Sequence, residues 1–169
     1  HGVLGGHPAL PTAPLSPGKR YDFAHMSYAW GRRENLYAAR RQTGLREAPE
    51  AFGVAASPIL QATRLMVSAQ QYLAAIVAPL RFVAAAAHRM PLVTEVVIDP
   101  FPLIEGQDFM QAPMEGLVDR VKKTLRDTAA YQELANNLHR RLCVEWTFIK
   151  GVQEGLQACG LAETREVET

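Results

Sequence analysis

Apolar residues recur along this chain with helical spacing over two long stretches, separated by one β-branched run. Between Ser57 and His88, Ala62, Ala69, Ile76 and Val83 recur every seven residues, as do Met66, Leu73, Leu80 and Ala87. Such a double repeat is the seam of a helix lying lengthwise on another helix. Ser57-Pro58 supplies a start signal, and Pro79 inside the pattern predicts a kink or a split in two. After Pro113, the residues Met114, Val118, Val121 and Leu125 line one helical face. Asp127-Thr128 then breaks or recaps the chain. A last long helix follows over residues 129–158, carrying Leu134, Leu138, Leu142, Ile149, Val152 and Leu156 and stopped by Gly160. The run 92–98 (LVTEVVI) predicts a lone strand. One strand cannot close a sheet, so it is expected to stay extended or to pair with another chain. Residues 100–113 read as a loop holding Phe101, Leu103, Ile104, Phe109 and Met110, apolar enough to want cover.

Towards the N-terminus the pattern changes. Residues 1–26 carry four prolines and four glycines in their first 18 positions, which predicts an extended arm that only a neighbouring surface would order. A short helix is expected from Ser27, as a cap, to Gln42, with Gly44 as its left-handed terminator. On it Tyr28, Trp30, Leu36 and Tyr37 interleave with Arg32, Arg33, Arg40 and Arg41, the mixture that protein interfaces prefer. Leu36-Tyr37 is followed by Ala38, not the Arg of the Leu-Tyr-Arg motif of small mitochondrial helical proteins, so no family resemblance is drawn. The expected organisation is an arm over 1–26, a basic and aromatic helix with linker over 27–56, a helical domain over 57–160 and a polar tail over 161–169. The fold class that follows is mainly α: a small helical bundle or long helical hairpin with an extended N-terminal arm.

Charge refines this picture. The chain is 169 residues long with a formal net charge of +1, too balanced for a stand-alone nucleic-acid binder. The balance hides a polarity: residues 1–48 carry +4, residues 49–98 carry +1 and residues 99–169 carry −4. Arginines outnumber lysines fourteen to four, which suits either desolvated interfaces or a GC-rich genome. Residues 65–88 are apolar enough to raise the question of a membrane span, but Gln70, Gln71 and Arg81 interrupt them. Two cysteines, Cys143 and Cys159, make neither a disulfide framework nor a metal box.

Catalytic signatures are missing from the sequence. It has neither a dinucleotide-binding nor a P-loop glycine pattern, and no nucleophile elbow. His139 and Cys143, four apart on a helix, make two ligands without a third, and read as a packed pair. Asp99, Glu105 and Asp108 gather in the central loop without a partner constellation and read as solvated.

Taken together, these features point to a non-catalytic accessory (supernumerary) structural subunit of a large assembly, and not to an enzyme. The basic front and the start at His1 fit an imported mitochondrial protein, so a respiratory-chain or ATP synthase complex is the expected setting. The other subunits of such a hetero-oligomer would be its partners, with a membrane-proximal position as one option, and neither cofactor nor metal is expected. The expected interface residues are Tyr28, Trp30, Arg32, Arg33, Tyr37, Arg40, Arg41, Phe101 and Phe109. Two alternatives stay open: an organellar ribosomal or RNA-associated protein, and a bacterial helical protein that coats a surface or carries a ligand.

Overall fold

A computed structural model describes residues 18–28, 31–34, 43–72 and 76–160. Four strands form one parallel sheet in the order β1-β2-β3-β4: β1 (Tyr21–Ala24), β2 (Thr63–Ser68), β3 (Leu92–Glu95) and β4 (Met110–Ala112). Register pairs Phe23 with Leu65, Met66 with Leu92 and Val93 with Met110. Parallel neighbours require crossovers, and helices supply part of them. Helix α1 (Ala56–Gln61) leads into β2, α2 (Pro79–Ala87) joins β2 to β3, and α3 (Leu117–Arg126) follows β4. Helix α4 (Thr128–Arg140), a π-type turn over Arg141–Glu145, and α5 (Phe148–Ala158) complete the described chain.

The expectation of a mainly α bundle is therefore corrected: the fold is α/β. The seven-residue repeat between Ser57 and His88 is not one helix. Within it α1 ends at Gln61, β2 occupies Thr63–Ser68, and Pro79 opens α2. The misreading has a physical cause. An inner parallel strand is covered on both faces, so it shows a continuous apolar run without the alternation of a half-buried strand. Leu65, Met66 and Val67 are all buried, the odd-numbered pair against one helical layer and Met66 against the other.

Both faces of the sheet are packed. On one side Ala24, Met66 and Leu92 meet Leu60 of α1 and Phe82, Ala84, Ala85 and Ala86 of α2. Leu138 of α4 and Leu142 extend this layer over α2. Every residue of α2 from Phe82 to Ala87 is buried, because the helix is sandwiched between the sheet and α4, and its alanines permit that approach. On the other side Phe23, Leu65, Val67, Val93 and Ala112 receive Leu117, Val121 and Leu125 of α3.

Other expectations meet mixed outcomes. The strand at 92–98 forms over Leu92–Glu95, but it is internal, paired with β2 and β4 of its own chain. The loop 100–113 contains β4, and its Leu103 and Phe109 supply core. The face of α3 is as expected, and Asp127 recaps the chain by accepting a hydrogen bond from the Ala130 amide at 3.0 Å. The last helix is divided into α4 and α5, with Thr147 capping the second. Gly44 and Gly160 adopt the positive φ values expected of terminators, +72° and +68°. Residues 21–24, placed within the arm by sequence, form an edge strand, while residues 1–17 and 161–169 lie outside the described residues. Among the described residues no helix is long and apolar enough to cross a membrane.

His88 follows the last residue of α2 and is only 2% exposed. Its Nε2 lies 3.2 Å from Ser57 Oγ, whereas its Nδ1 is buried without a hydrogen-bond partner. Burial holds its pKa below the ordinary 6.5. The unfolded chain therefore takes up a proton near that pH while the folded chain stays neutral. Stability should be complete above pH 6.5 and fall as the pH drops towards the lowered folded value. Denaturant melts at stepped pH would measure this, and His88→Gln should flatten the decline across the same window.

Candidate functional site

In an open parallel sheet the strands all point one way, and ligands lodge in the crevice outside their carboxyl ends. At that edge the chain gathers polar groups that the core would exclude: His25, Ser27, Arg33, Ser68, Gln70, Thr94 and Glu95, all buried. Burial of so many polar side chains is tolerated only when they bond one another.

The network centres on two adjacent arginines downstream of β1. Arg32 forms a two-pronged pair with Glu95 at the end of β3, Nη2 to Oε1 at 2.5 Å and Nη1 to Oε2 at 3.0 Å. The same Nη1 also donates to the Gln70 carbonyl at 3.2 Å. This hydrogen-bonded contact with Glu95 raises the pKa of Arg32 further still. Arg33 donates from Nε to the Ala69 carbonyl at 3.0 Å and from Nη1 towards the Tyr28 carbonyl and Gln71 Oε1, both at 3.4 Å. A third guanidinium arrives from the first turn of α2. Arg81 donates to Ser68 Oγ and the Ala69 carbonyl, each at 3.1 Å, and to the Met26 carbonyl at 3.3 Å. Three guanidiniums thus converge on the ends of β1 and β2. Glu95 also accepts the Gln70 backbone N–H at 2.9 Å, which ties β2 to β3 at the edge.

His25 lies beside this cluster. Its Nδ1 donates to the Ser27 carbonyl at 2.8 Å and its Nε2 lies 2.5 Å from Glu47 Oε1. A planar fork of donors is the side chain best matched to phosphate oxygens. The arrangement is therefore suited to holding an oxyanion with more than one oxygen.

The opposite edge is built for stability. Asp22 accepts from the Arg46 backbone N–H at 2.9 Å and from the Arg46 and Arg64 side chains at 3.3 and 3.2 Å. Burial alone would raise its pKa, but these hydrogen bonds outweigh burial and lower it. Tyr131 donates to the Arg64 carbonyl, and burial pushes its phenol up to about 12. A shallow cleft at the far end of α3, lined by Asp119, Lys122, Lys123, Arg126 and Asp127, belongs to that edge too.

Of the residues expected at a partner interface, Arg32 and Arg33 enter this cluster. Tyr28 is exposed and meets Phe52 in a tilted arrangement with centroids 5.0 Å apart, and Phe101 is exposed against Trp146 at 5.2 Å. Phe109 is fully buried against Phe82, so it serves the chain's own core. Trp30, Tyr37, Arg40 and Arg41 lie outside the described residues. His139 is buried and donates from Nδ1 to the Ala86 carbonyl at 2.9 Å, while burial pushes the Cys143 thiol up, away from the thiolate that metal or nucleophile chemistry needs. Asp108 is buried, bonding the Ile104 amide and Arg141, so it is not the solvated loop residue that the sequence implied. Among the described residues no group of three or more His, Cys, Asp or Glu is placed to hold a metal ion.

Sequence reasoning missed Glu95, His25 and Ser27 as site residues. It noticed Gln70, Gln71 and Arg81 only as interruptions of an apolar run. Those interruptions are the signal: Gln70 and Gln71 mark where β2 ends and the edge begins, and Arg81 marks the first turn of α2.

No protein-family model matches the chain, and no curated protein matches it in sequence. Solved structures do match its fold. The crystal structure of Anabaena HepE in complex with UDP and glucose superposes with a TM-score of 0.67 at 13% identity, over 85% of this chain and 49% of that one. TarM gives a TM-score of 0.56 at 11% identity, over 93% of this chain and 37% of that one. Sucrose-phosphate synthase from Thermosynechococcus elongatus gives 0.53 at 16% identity, over 82% of this chain and 38% of that one. The chain therefore spans about half or less of the length of these proteins. At such identities the likeness is one of fold: an α/β unit of Rossmann-like kind, built on a parallel sheet. It overturns the expectation of a non-catalytic helical subunit of a mitochondrial respiratory-chain or ATP synthase complex, which rested on a mainly helical fold. One of these structures was solved with UDP and glucose and another is a sucrose-phosphate synthase, so the expectation that the chain is no enzyme falls as well.

Proposed function

We propose that this chain is the nucleotide-sugar-binding unit of a glycosyltransferase, and that the diphosphate of a UDP-sugar lodges at the carboxyl edge of the sheet. One observation carries the reading: Arg32, Arg33 and Arg81 converge at the ends of β1 and β2, where an open parallel sheet receives its ligand. The solved likeness to HepE, one structure of which holds UDP-glucose, supports the choice of ligand.

In glycosyl transfer the bond between the anomeric carbon and the diphosphate oxygen breaks, and an acceptor hydroxyl forms the new bond as it loses its proton. Negative charge grows on the departing diphosphate. Fixed guanidiniums aimed at that charge stabilise the transition state more than the ground state, which is how they accelerate the step. Arg33, buried, is held by the Ala69 carbonyl and Arg81 by Ser68 and Met26, so both charges are fixed at the edge before a ligand arrives. His25, fixed between Ser27 and Glu47, lines the same edge.

The test is calorimetric titration of the purified chain with UDP, UDP-glucose, uridine and glucose. Saturable binding of the first two, with uridine and glucose much weaker, is the expected result. Arg32→Gln should weaken UDP by about tenfold or more, the scale of one hydrogen bond to a charged group. Equal affinity for uridine and UDP, or no binding of UDP at millimolar concentration, would overturn the reading.

A further inference from the structure

We propose that Glu95 is a specificity-determining residue that occupies Arg32 until a diphosphate displaces it. The inference rests on the carboxyl edge being the diphosphate site.

Three observations lead to it. Arg32 reaches past the end of β2 to meet Glu95 at the end of β3, so the pair bridges strand ends at the carboxyl edge of the sheet. The Arg32 side chain keeps 29% of its exposure while that of Glu95 keeps 11%, so the guanidinium is the partner that solvent, or a ligand, can reach. Finally, Glu95 has a second tie, the Gln70 backbone N–H at 2.9 Å, which holds the carboxylate in place when the arginine leaves. Arg33 differs in this respect: it is buried and donates to the Ala69 and Tyr28 carbonyls and to the Gln71 amide oxygen, so no carboxylate has to leave it.

The consequence is a selection rule. A ligand gains the charge of Arg32 only by offering what Glu95 already offers: two oxygens, correctly spaced and negatively charged. A diphosphate does so. A free sugar or a nucleoside does not, and it leaves the ion pair closed. Glu95 thus lowers affinity for the correct ligand somewhat and refuses neutral ones, the repulsive half of a specificity device. The apparent affinity is reduced by the fraction of molecules in which the pair is shut.

A double-mutant cycle on the full chain decides the matter, with UDP and inorganic pyrophosphate as probes. Glu95→Gln removes the competing charge and should tighten UDP and pyrophosphate by about fivefold or more, the ordinary scale of coupling between two sites. Arg32→Gln should weaken both. The double variant should match Arg32→Gln, because with no arginine to release, the gain from Glu95→Gln vanishes. A gain that persists in the Arg32→Gln background would reduce Glu95 to a general field effect and overturn the proposal. So would a Glu95→Gln variant that binds UDP as poorly as Arg32→Gln, which would make Glu95 a support for Arg32. Should Glu95→Gln fail to fold, Glu95→Asp retains the charge but shortens the reach by one methylene, and it should tighten UDP in the same direction. If wild type and every variant ignore both probes, the site reading itself fails. If wild type binds UDP and loss of Glu95 changes nothing, the site stands and only this inference falls.

Discussion

Replacing Phe82 by alanine should lower the unfolding free energy by about 3–5 kcal/mol, the usual range for an aromatic removed from a packed core. The ring is 0% exposed and meets Phe109 edge-on, with centroids 5.4 Å apart and planes at 74°. It lies in the layer that α2 forms between sheet and α4, where neither side can collapse without moving a whole element. The cavity would therefore persist, adding its own cost to the lost transfer energy. Denaturant titration should show a lower midpoint with an unchanged slope, the sign of lost stability without altered compactness. Phe82→Leu should recover more than half of the loss. A decrease below about 1 kcal/mol would mean that α2 is not the covered inner helix described here.

Glu95→Ala should cost about 2–4 kcal/mol. Removing one member of a buried ion pair typically costs about 3–5 kcal/mol, because the other charge stays behind without compensation. Arg32 retains partial access to water, with 29% of its side chain exposed, which brings the expected cost below that range's upper end and partly below its lower one. The loss of an acceptor for the Gln70 amide adds to it, since that residue is buried. Glu95→Gln should cost less, because its carbonyl oxygen can still accept the Gln70 N–H. Thermal melts of both variants at neutral pH would measure the difference. Equal losses for Gln and Ala would show that the charge, and not the hydrogen bond to Gln70, dominates. No loss for either would remove Glu95 from the scaffold of the edge. The same residue thus supports the unliganded fold and restrains the site, the trade between stability and activity seen at functional positions.

Local signals were read well where local chemistry decides the outcome. Pro79 begins α2, Asp127 caps α4, and Gly44 and Gly160 turn left-handed. The face Val118, Val121 and Leu125 packs as its spacing implied. Each of these depends on a few adjacent residues: a missing N–H, a side-chain oxygen within reach of an orphan amide, a missing Cβ, or the 3.6-residue period. The site was legible only in fragments. Arg32 and Arg33 stood out for their charge, but Glu95 read as one more residue of a strand.

What the chain's own order of residues determined is therefore its punctuation: where helices start and stop, which side of α3 is apolar, and that LVTE is extended. Which strands exist in number, and that they lie side by side, was decided in three dimensions. A buried parallel strand such as TRLMVS has both faces covered, so its apolar run fits a helix seam equally well, and only pairing of Phe23 with Leu65 and Met66 with Leu92 separates the two. The arginine cluster is likewise a product of the sheet. Arg32 and Glu95 are distant in sequence and meet because parallel strands deliver their carboxyl ends to one edge.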